Sequence, residues 1–162
     1  MWNKHISIKR AAASLLMTVS LSLFVASCQR RPQTIKYVSL PEEGWRSDNI
    51  LTFEVDSMLP SDSYQAYLGI RTSSTVSYPY RQLVLEVTQS WGNQQRIVDT
   101  LECEVAEPDG EEKGQGVSLY AMEFPLGPVF VRQDTIGQFS VRHLMRQTPL
   151  RGIVDVGIIF RP

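Results

Sequence analysis

The chain has 162 residues, with 16 Lys+Arg against 17 Asp+Glu, a formal net charge of −1 and a sequence pI of about 6.1. So even a balance exerts no long-range pull on a polyanion, and nucleic acid is not an expected partner. Hydrophobic residues at 43% and charged ones at 20% belong to a globular chain whose length suits one domain, and two cysteines are too few for a disulfide framework.

The first segment reads as an export signal. Met1 to Arg10 carries Lys4, Lys9 and Arg10 with no acid, and the apolar stretch Ala11–Ala26 follows. That stretch is too short for a comfortable membrane span, which takes about 20 apolar residues. It ends in Val25-Ala26-Ser27-Cys28, which resembles the lipobox of bacterial lipoproteins: an aliphatic residue, two small ones and a cysteine. Small residues admit the backbone to a peptidase cleft, and the Cys28 thiol is the group that takes the lipid. The expected organisation is a lipoprotein signal peptide over residues 1–27, a lipidated tether over 28–34 and a single β-sandwich domain over 35–162. Cleavage before Cys28 leaves 135 residues with 13 Lys+Arg against 17 Asp+Glu, a net charge of −4. Two or three acyl chains on Cys28 anchor a protein stably where one does so marginally, so membrane association is expected through that lipid. Gln29 to Thr34 has no apolar periodicity and reads as a linker of at most about 20 Å, at about 3.3 Å per residue.

Beyond the tether the chain reads as strands. Leu51, Phe53 and Val55 alternate with Thr52, Glu54 and Asp56, and Ala66, Leu68 and Ile70 alternate with Tyr67, Gly69 and Arg71. The same period of two recurs at Leu83, Leu85 and Val87, at Leu101, Cys103 and Val105, at Phe139, Val141 and His143, and at Val154, Val156, Ile158 and Phe160. Turn signals fall between them at Pro60-Ser61-Asp62-Ser63, Trp91-Gly92-Asn93, Pro108-Asp109-Gly110, Gly114-Gln115-Gly116 and Gly127-Pro128. No segment carries a helical stripe. Short alternating segments at this spacing predict an all-β chain, an antiparallel β-sandwich of the jelly-roll or Ig-like kind. Cys103 falls on an apolar face and reads as a structural core cysteine.

Catalytic chemistry finds little to work with. After the signal the one histidine is His143, and no HExxH, paired CxxC or GxSxG occurs, so neither a metal nor another cofactor is expected and the chain does not read as an enzyme. The acidic run Glu102 to Glu112 lacks the alternating ligand order of a calcium loop. Glu102 and Glu104 fit the solvent face of a strand, and Pro108-Asp109-Gly110 fits a turn. Tyr78-Pro79-Tyr80 suggests a cis-proline or a loop corner, and its rings beside Arg71 and Arg81 either anchor an interface, being of the types that do, or simply cover the end of the sandwich.

Taken in order, several segments resemble the gliding-motility lipoprotein GldH family of Bacteroidota. They are Cys28, Tyr37-Val38-Ser39-Leu40-Pro41 with Gly44-Trp45, Tyr67-Leu68-Gly69-Ile70-Arg71, Tyr78-Pro79-Tyr80 with Leu83, and Asp99-Thr100-Leu101. Pro108-Asp109-Gly110, Lys113-Gly114-Gln115-Gly116, Phe139 to Arg146, Pro149-Leu150, Gly152-Ile153 and Asp155-Val156-Gly157 complete the series. The resemblance implies a non-enzymatic outer-membrane lipoprotein, lipidated at Cys28, that supports gliding and the associated type IX secretion machinery through other envelope lipoproteins. The basic Gln29-Arg30-Arg31 after the cysteine, where surface-exposed lipoproteins of these bacteria resemble one another in carrying acids, implies a protein facing the periplasm. The partner-binding candidates are Trp45, Arg71, Tyr78, Tyr80 and Arg146, because aromatics and Arg concentrate binding energy. The alternative is a lipid-anchored carbohydrate-binding or hydrolytic β-sandwich, which would present a row of aromatics or a carboxylate pair in a groove.

Overall fold

A computed structural model describes residues 34–55, 59–92, 96–132 and 135–162. Eight strands follow in chain order: β1 (Thr34–Ser39), β2 (Leu51–Val55), β3 (Asp62–Ser73), β4 (Gln82–Trp91), β5 (Ile97–Glu104), β6 (Leu119–Val131), β7 (Gly137–His143) and β8 (Ile153–Arg161). They form two four-stranded sheets, ordered β1-β8-β3-β6 and β2-β7-β4-β5, and each pairing is antiparallel. That order is the eight-stranded jelly roll, so of the two sandwich types expected from the sequence this is the one formed.

The period-two faces close on one another as the alternation requires. Ala66, Leu68 and Ile70 of β3 and Val156, Ile158 and Phe160 of β8 meet Leu83, Leu85 and Val87 of β4 and Phe139 and Val141 of β7, all buried. Toward one end the layers are tied by rings packed edge to face: Tyr64 on Phe160 at 6.4 Å, Phe160 on Phe139 at 5.8 Å and Phe139 on Trp91 at 5.9 Å. Cys103 is fully buried, and burial pushes its thiol up to about 12, so it sits there as a small apolar group.

Several boundaries differ from the sequence reading. Thr34, read as the last residue of the tether, already pairs with Phe160 as the first residue of β1. Asp62 and Ser63, read as turn, open β3. Gly127-Pro128, also read as turn, lies inside β6, where Ala66 pairs with Gly127 and Tyr67 with Pro125, leaving Leu126 bulged out. Gly127 takes φ +102° there, and Pro128 costs no ladder bond on an edge strand. The Tyr78–Pro79 bond is not among the cis peptides, and the cis X-Pro bond is Thr148–Pro149. Residues 1–33, which hold the predicted signal peptide, Cys28 and most of the predicted tether, lie outside the described residues.

Candidate functional site: an aromatic and arginine corner

The strand register sorts the loops into two ends. Segments 40–50, 74–81, 105–118 and 144–152 gather at one end, called apical below, and the described residues of the other three connections, 59–61, 92, 96, 132 and 135–136, at the other, called basal.

At the apical end three connections lock together. The Trp45 N–H donates to Leu150 O and the Leu150 N–H to Trp45 O, both at 2.8 Å, which pins segment 41–50 to segment 144–152. Trp45 is fully buried, its Nε1 donates to Asn49 O at 2.9 Å, and its ring meets His143 edge-on at 5.3 Å. His143 Nε2 donates to Trp45 O at 3.2 Å, while the buried Nδ1 has no partner. Segment 74–81 closes the corner. Gly152, at φ +88°, lies so near the Tyr78 backbone that a Cβ there would fall 2.5 Å from Tyr78 N. Tyr78 is 8% exposed, its hydroxyl donates to Gln82 O at 3.1 Å, and burial pushes its pKa well above the usual phenol value.

Tyr80 is the ring this framework presents. It packs edge-on to Tyr78 at 5.5 Å and is 38% exposed, on one side of an open cleft of about 540 Å³ lined by Pro79, Tyr80, Gln147, Pro149, Leu150 and Arg151. Arg146 and Arg151 are exposed and form no ion pair among the described residues. A rigid aromatic with proline walls and free guanidinium groups is suited to grip a protein or carboxylate-bearing surface.

The five candidate residues therefore separate. Trp45 and Tyr78 are inside the molecule and build the corner, leaving nothing for a partner to touch. Tyr80 lines its cleft, and Arg146 is exposed on the neighbouring segment 144–152 without lining it. Arg71 lies elsewhere, on the outer face of the β1-β8-β3-β6 sheet, 3.9 Å above the Tyr37 ring and 3.4 Å from Asp155 Oδ2, while Ser39 Oγ donates to Asp155 Oδ1 at 2.7 Å. The sequence reading missed the cleft-lining role of Gln147, Pro149 and Arg151. Its signal was Pro149-Leu150 just ahead of Gly152, a punctuated segment between two clear strands.

A wider cleft, about 630 Å³, opens beside β5 and β6, but its charged groups are already engaged. Lys113 Nζ is 2.7 Å from Glu104 Oε2 and 3.6 Å from Glu107 Oε1, Arg81 reaches Glu104 at 3.0 Å, and Arg161 holds Glu123 at 2.5 Å. Two more carboxylates of the acidic run are engaged as well. Glu112 accepts from the Thr72 hydroxyl, and Asp109 Oδ1 accepts the Glu111 N–H at 3.1 Å. Among the described residues no three His, Cys, Asp or Glu side chains converge as metal ligands would.

Fold and corner together define a jelly-roll module with an open cleft at its apical end. A family model described as GldH lipoprotein matches residues 34–159, and the chain belongs to that family. The "Gliding motility lipoprotein GldH homolog" of Christiangramia forsetii is 27% identical over 157 residues, 91% of this chain and 94% of the relative. The "Gliding motility lipoprotein GldH" of Flavobacterium johnsoniae is 25% identical over 156 residues, 90% of this chain and 92% of its own. These names support a role in gliding motility and membrane association through lipid. Among solved structures, a family GH115 4-O-methyl-alpha-glucuronidase with specificity for decorated arabinogalactans aligns with 82% of this chain and 17% of its own. The TM-score of 0.37 and 15% identity make that likeness too loose to carry an argument.

Proposed function

We propose that the chain is a non-enzymatic outer-membrane lipoprotein, anchored by acyl chains on Cys28 and facing the periplasm. It supports gliding motility and the associated type IX secretion machinery by docking other envelope lipoproteins at the corner around Tyr80, Arg146 and Arg151. The observation that carries this reading is the extent of the family match, which runs through both sheets and every loop of the corner. The geometry of the corner supports it, since a buried framework holds one half-exposed ring in a cleft shared with Arg151, which forms no ion pair among the described residues. The carbohydrate-binding or hydrolytic alternative has less support. The most exposed rings, Tyr80 at 38% and Phe130 at 58%, stand at opposite ends of the sandwich, so they make no flat row.

The test is genetic, in the native host. A clean deletion is expected to lose colony spreading and the secretion of cargo bearing type IX sorting domains. Tyr80→Ala combined with Arg151→Glu, at parental protein abundance, is expected to reproduce much of that loss. Tyr78 is left intact because it belongs to the core. Unchanged spreading and secretion in the deletion strain would sink the reading, and a fully active double variant would move the contact away from this corner.

A further inference from the structure

We infer that the basal end of the sandwich is a lipid-contact surface, seated on the bilayer by the apolar side chains of Ile97, Val98, Phe130 and Ile136 and by Arg132. The inference rests on the reading of Cys28 as the lipidated residue.

Register fixes which groups share this end. In one sheet Thr34 pairs with Phe160, Gln65 with Arg161 and Asp62 with Val131; in the other Val55 and Trp91 both pair with Gly137, and Gln89 with Ile97. The contact between Phe139 and Phe160 brings the two sets of strand ends to the same side. Phe130 at 58%, Ile136 at 68%, Ile97 at 48% and Val98 at 54% therefore ring one end of the molecule, in and beside the strand termini. Arg132 is exposed beside them and forms no ion pair among the described residues, whereas Arg96 turns back over the outer face of its sheet, where it reaches the Thr88 hydroxyl at 3.4 Å and helps to hold the Glu86 carboxyl low.

Exposed apolar groups also occur at the apical end, Val117 at 89% among them, so exposure alone does not choose between the ends. Chain length does. Cys28 precedes Thr34 by six residues, at most about 20 Å of extended chain at about 3.3 Å per residue. A lipid on Cys28 thus keeps the basal end close to the headgroups. Arg30 and Arg31 follow Cys28 in sequence, the basal segments hold Arg96 and Arg132 with Asp56 and Asp134, and the apical ones hold five cations beside seven acids, so charge does not separate the ends. β8, with nine residues, spans about 30 Å at about 3.3 Å per residue, so the apical end stands about that far from a surface that the basal end meets. Aliphatic and phenyl side chains flanked by arginine are the groups that settle at the headgroup boundary.

The protein supplies its own labelling chemistry, since Cys103 is buried and an acylated Cys28 has no free thiol. Phe130→Cys and Val117→Cys, both at exposed positions, are each coupled to an environment-sensitive fluorophore. The lipidated full-length mature proteins are reconstituted in vesicles of phosphatidylethanolamine and phosphatidylglycerol. Iodide quenching at position 130 is expected to fall several-fold on reconstitution while position 117 stays as accessible as in detergent-free buffer. Adding Ile136→Ser and Arg132→Glu is expected to restore iodide access at position 130 with the protein still floating with the vesicles. Equal iodide access at the two positions in floating vesicles overturns the contact and leaves the anchor standing. Absence of acyl mass on Cys28, with no flotation, overturns the anchor, and the contact falls with it.

Discussion

His143 illustrates what alternation conveys about a residue and what it omits. The spacing Phe139, Val141, His143 puts the imidazole on the apolar face, and there it sits at 2% exposure. The pattern says nothing of its partners, which come from a loop about a hundred positions earlier: Nε2 donates to Trp45 O, and Nδ1 is left unsatisfied. Trp45 and Tyr78 make the same point, because residue type marks them as good anchors while burial is decided by the closing of segments 41–50, 74–81 and 144–152. Burial lowers the His143 pKa below its ordinary 6.5, the bond to Trp45 O opposing the shift. Folded His143 is therefore neutral where an unfolded histidine takes up a proton. The stability it contributes is complete above pH 6.5 and is lost as pH falls through 6.5 toward the lower folded value. The paired carboxylates Glu86 and Glu104 are held below 4.5 and titrate outside that window. Denaturant midpoints between pH 8 and pH 5 are expected to decline in the parent and to stay flatter in His143→Gln. Parallel curves would remove His143 as the cause.

Among the elements, legibility followed phase. β2, β4 and β7 keep one alternating register from end to end, so their sequences display the buried face directly. β6 does not: Met122 and Phe124 point inward at even positions, the bulge at Leu126 shifts the phase, and Val129 and Val131 are buried at odd ones. With Pro125, Gly127 and Pro128 inside it, the strand resembles a turn to any reading of single residues. β1 is obscured for a different reason, since Ile35 and Tyr37 cover the outer face of β8 and β3 and leave no clean polar side. Tyr37 lies over Gly69 of β3 and Gly157 of β8, with the Arg71 guanidinium above its ring. A Cβ at Gly69 would meet the Tyr37 hydroxyl and ring and, at 3.1 Å, Ile159 Cδ1. Gly69→Ala is expected to cost roughly 1–3 kcal/mol by overpacking, read as a shift in the denaturant midpoint. In a double-mutant cycle with Tyr37→Ala the two costs should be strongly non-additive. Simple additivity would mean that β1 adjusts without strain and that the ring does not set the spacing of the sheet.

At the scale of the whole molecule, the jelly roll separates two surfaces by the length of its strands. The corner with Tyr80 and Arg151 is apical, and Thr34, the first described residue, opens β1 at the basal end. Composition and periodicity conveyed the sandwich and the presence of an anchor motif, but this polarity needed the strand order, which places loops distant in sequence at one end. The consequence for anchoring follows from magnitudes. Four exposed apolar side chains at the basal end, each only partly buried against headgroups, contribute far less than an acyl chain, which gives about 0.8 kcal/mol for every buried CH₂. Cys28→Ser is therefore expected to move the protein from the membrane pellet to the supernatant at high salt. Its thermal unfolding should match that of the parent domain, because position 28 precedes the first paired residue, Thr34, by six positions. Fractionation with ultracentrifugation, and melting of the released protein, check both halves. A Cys28→Ser protein that still sediments with membranes at high salt would make protein contacts the anchor, whereas one that melts several degrees lower would draw residues 28–33 into the folded unit.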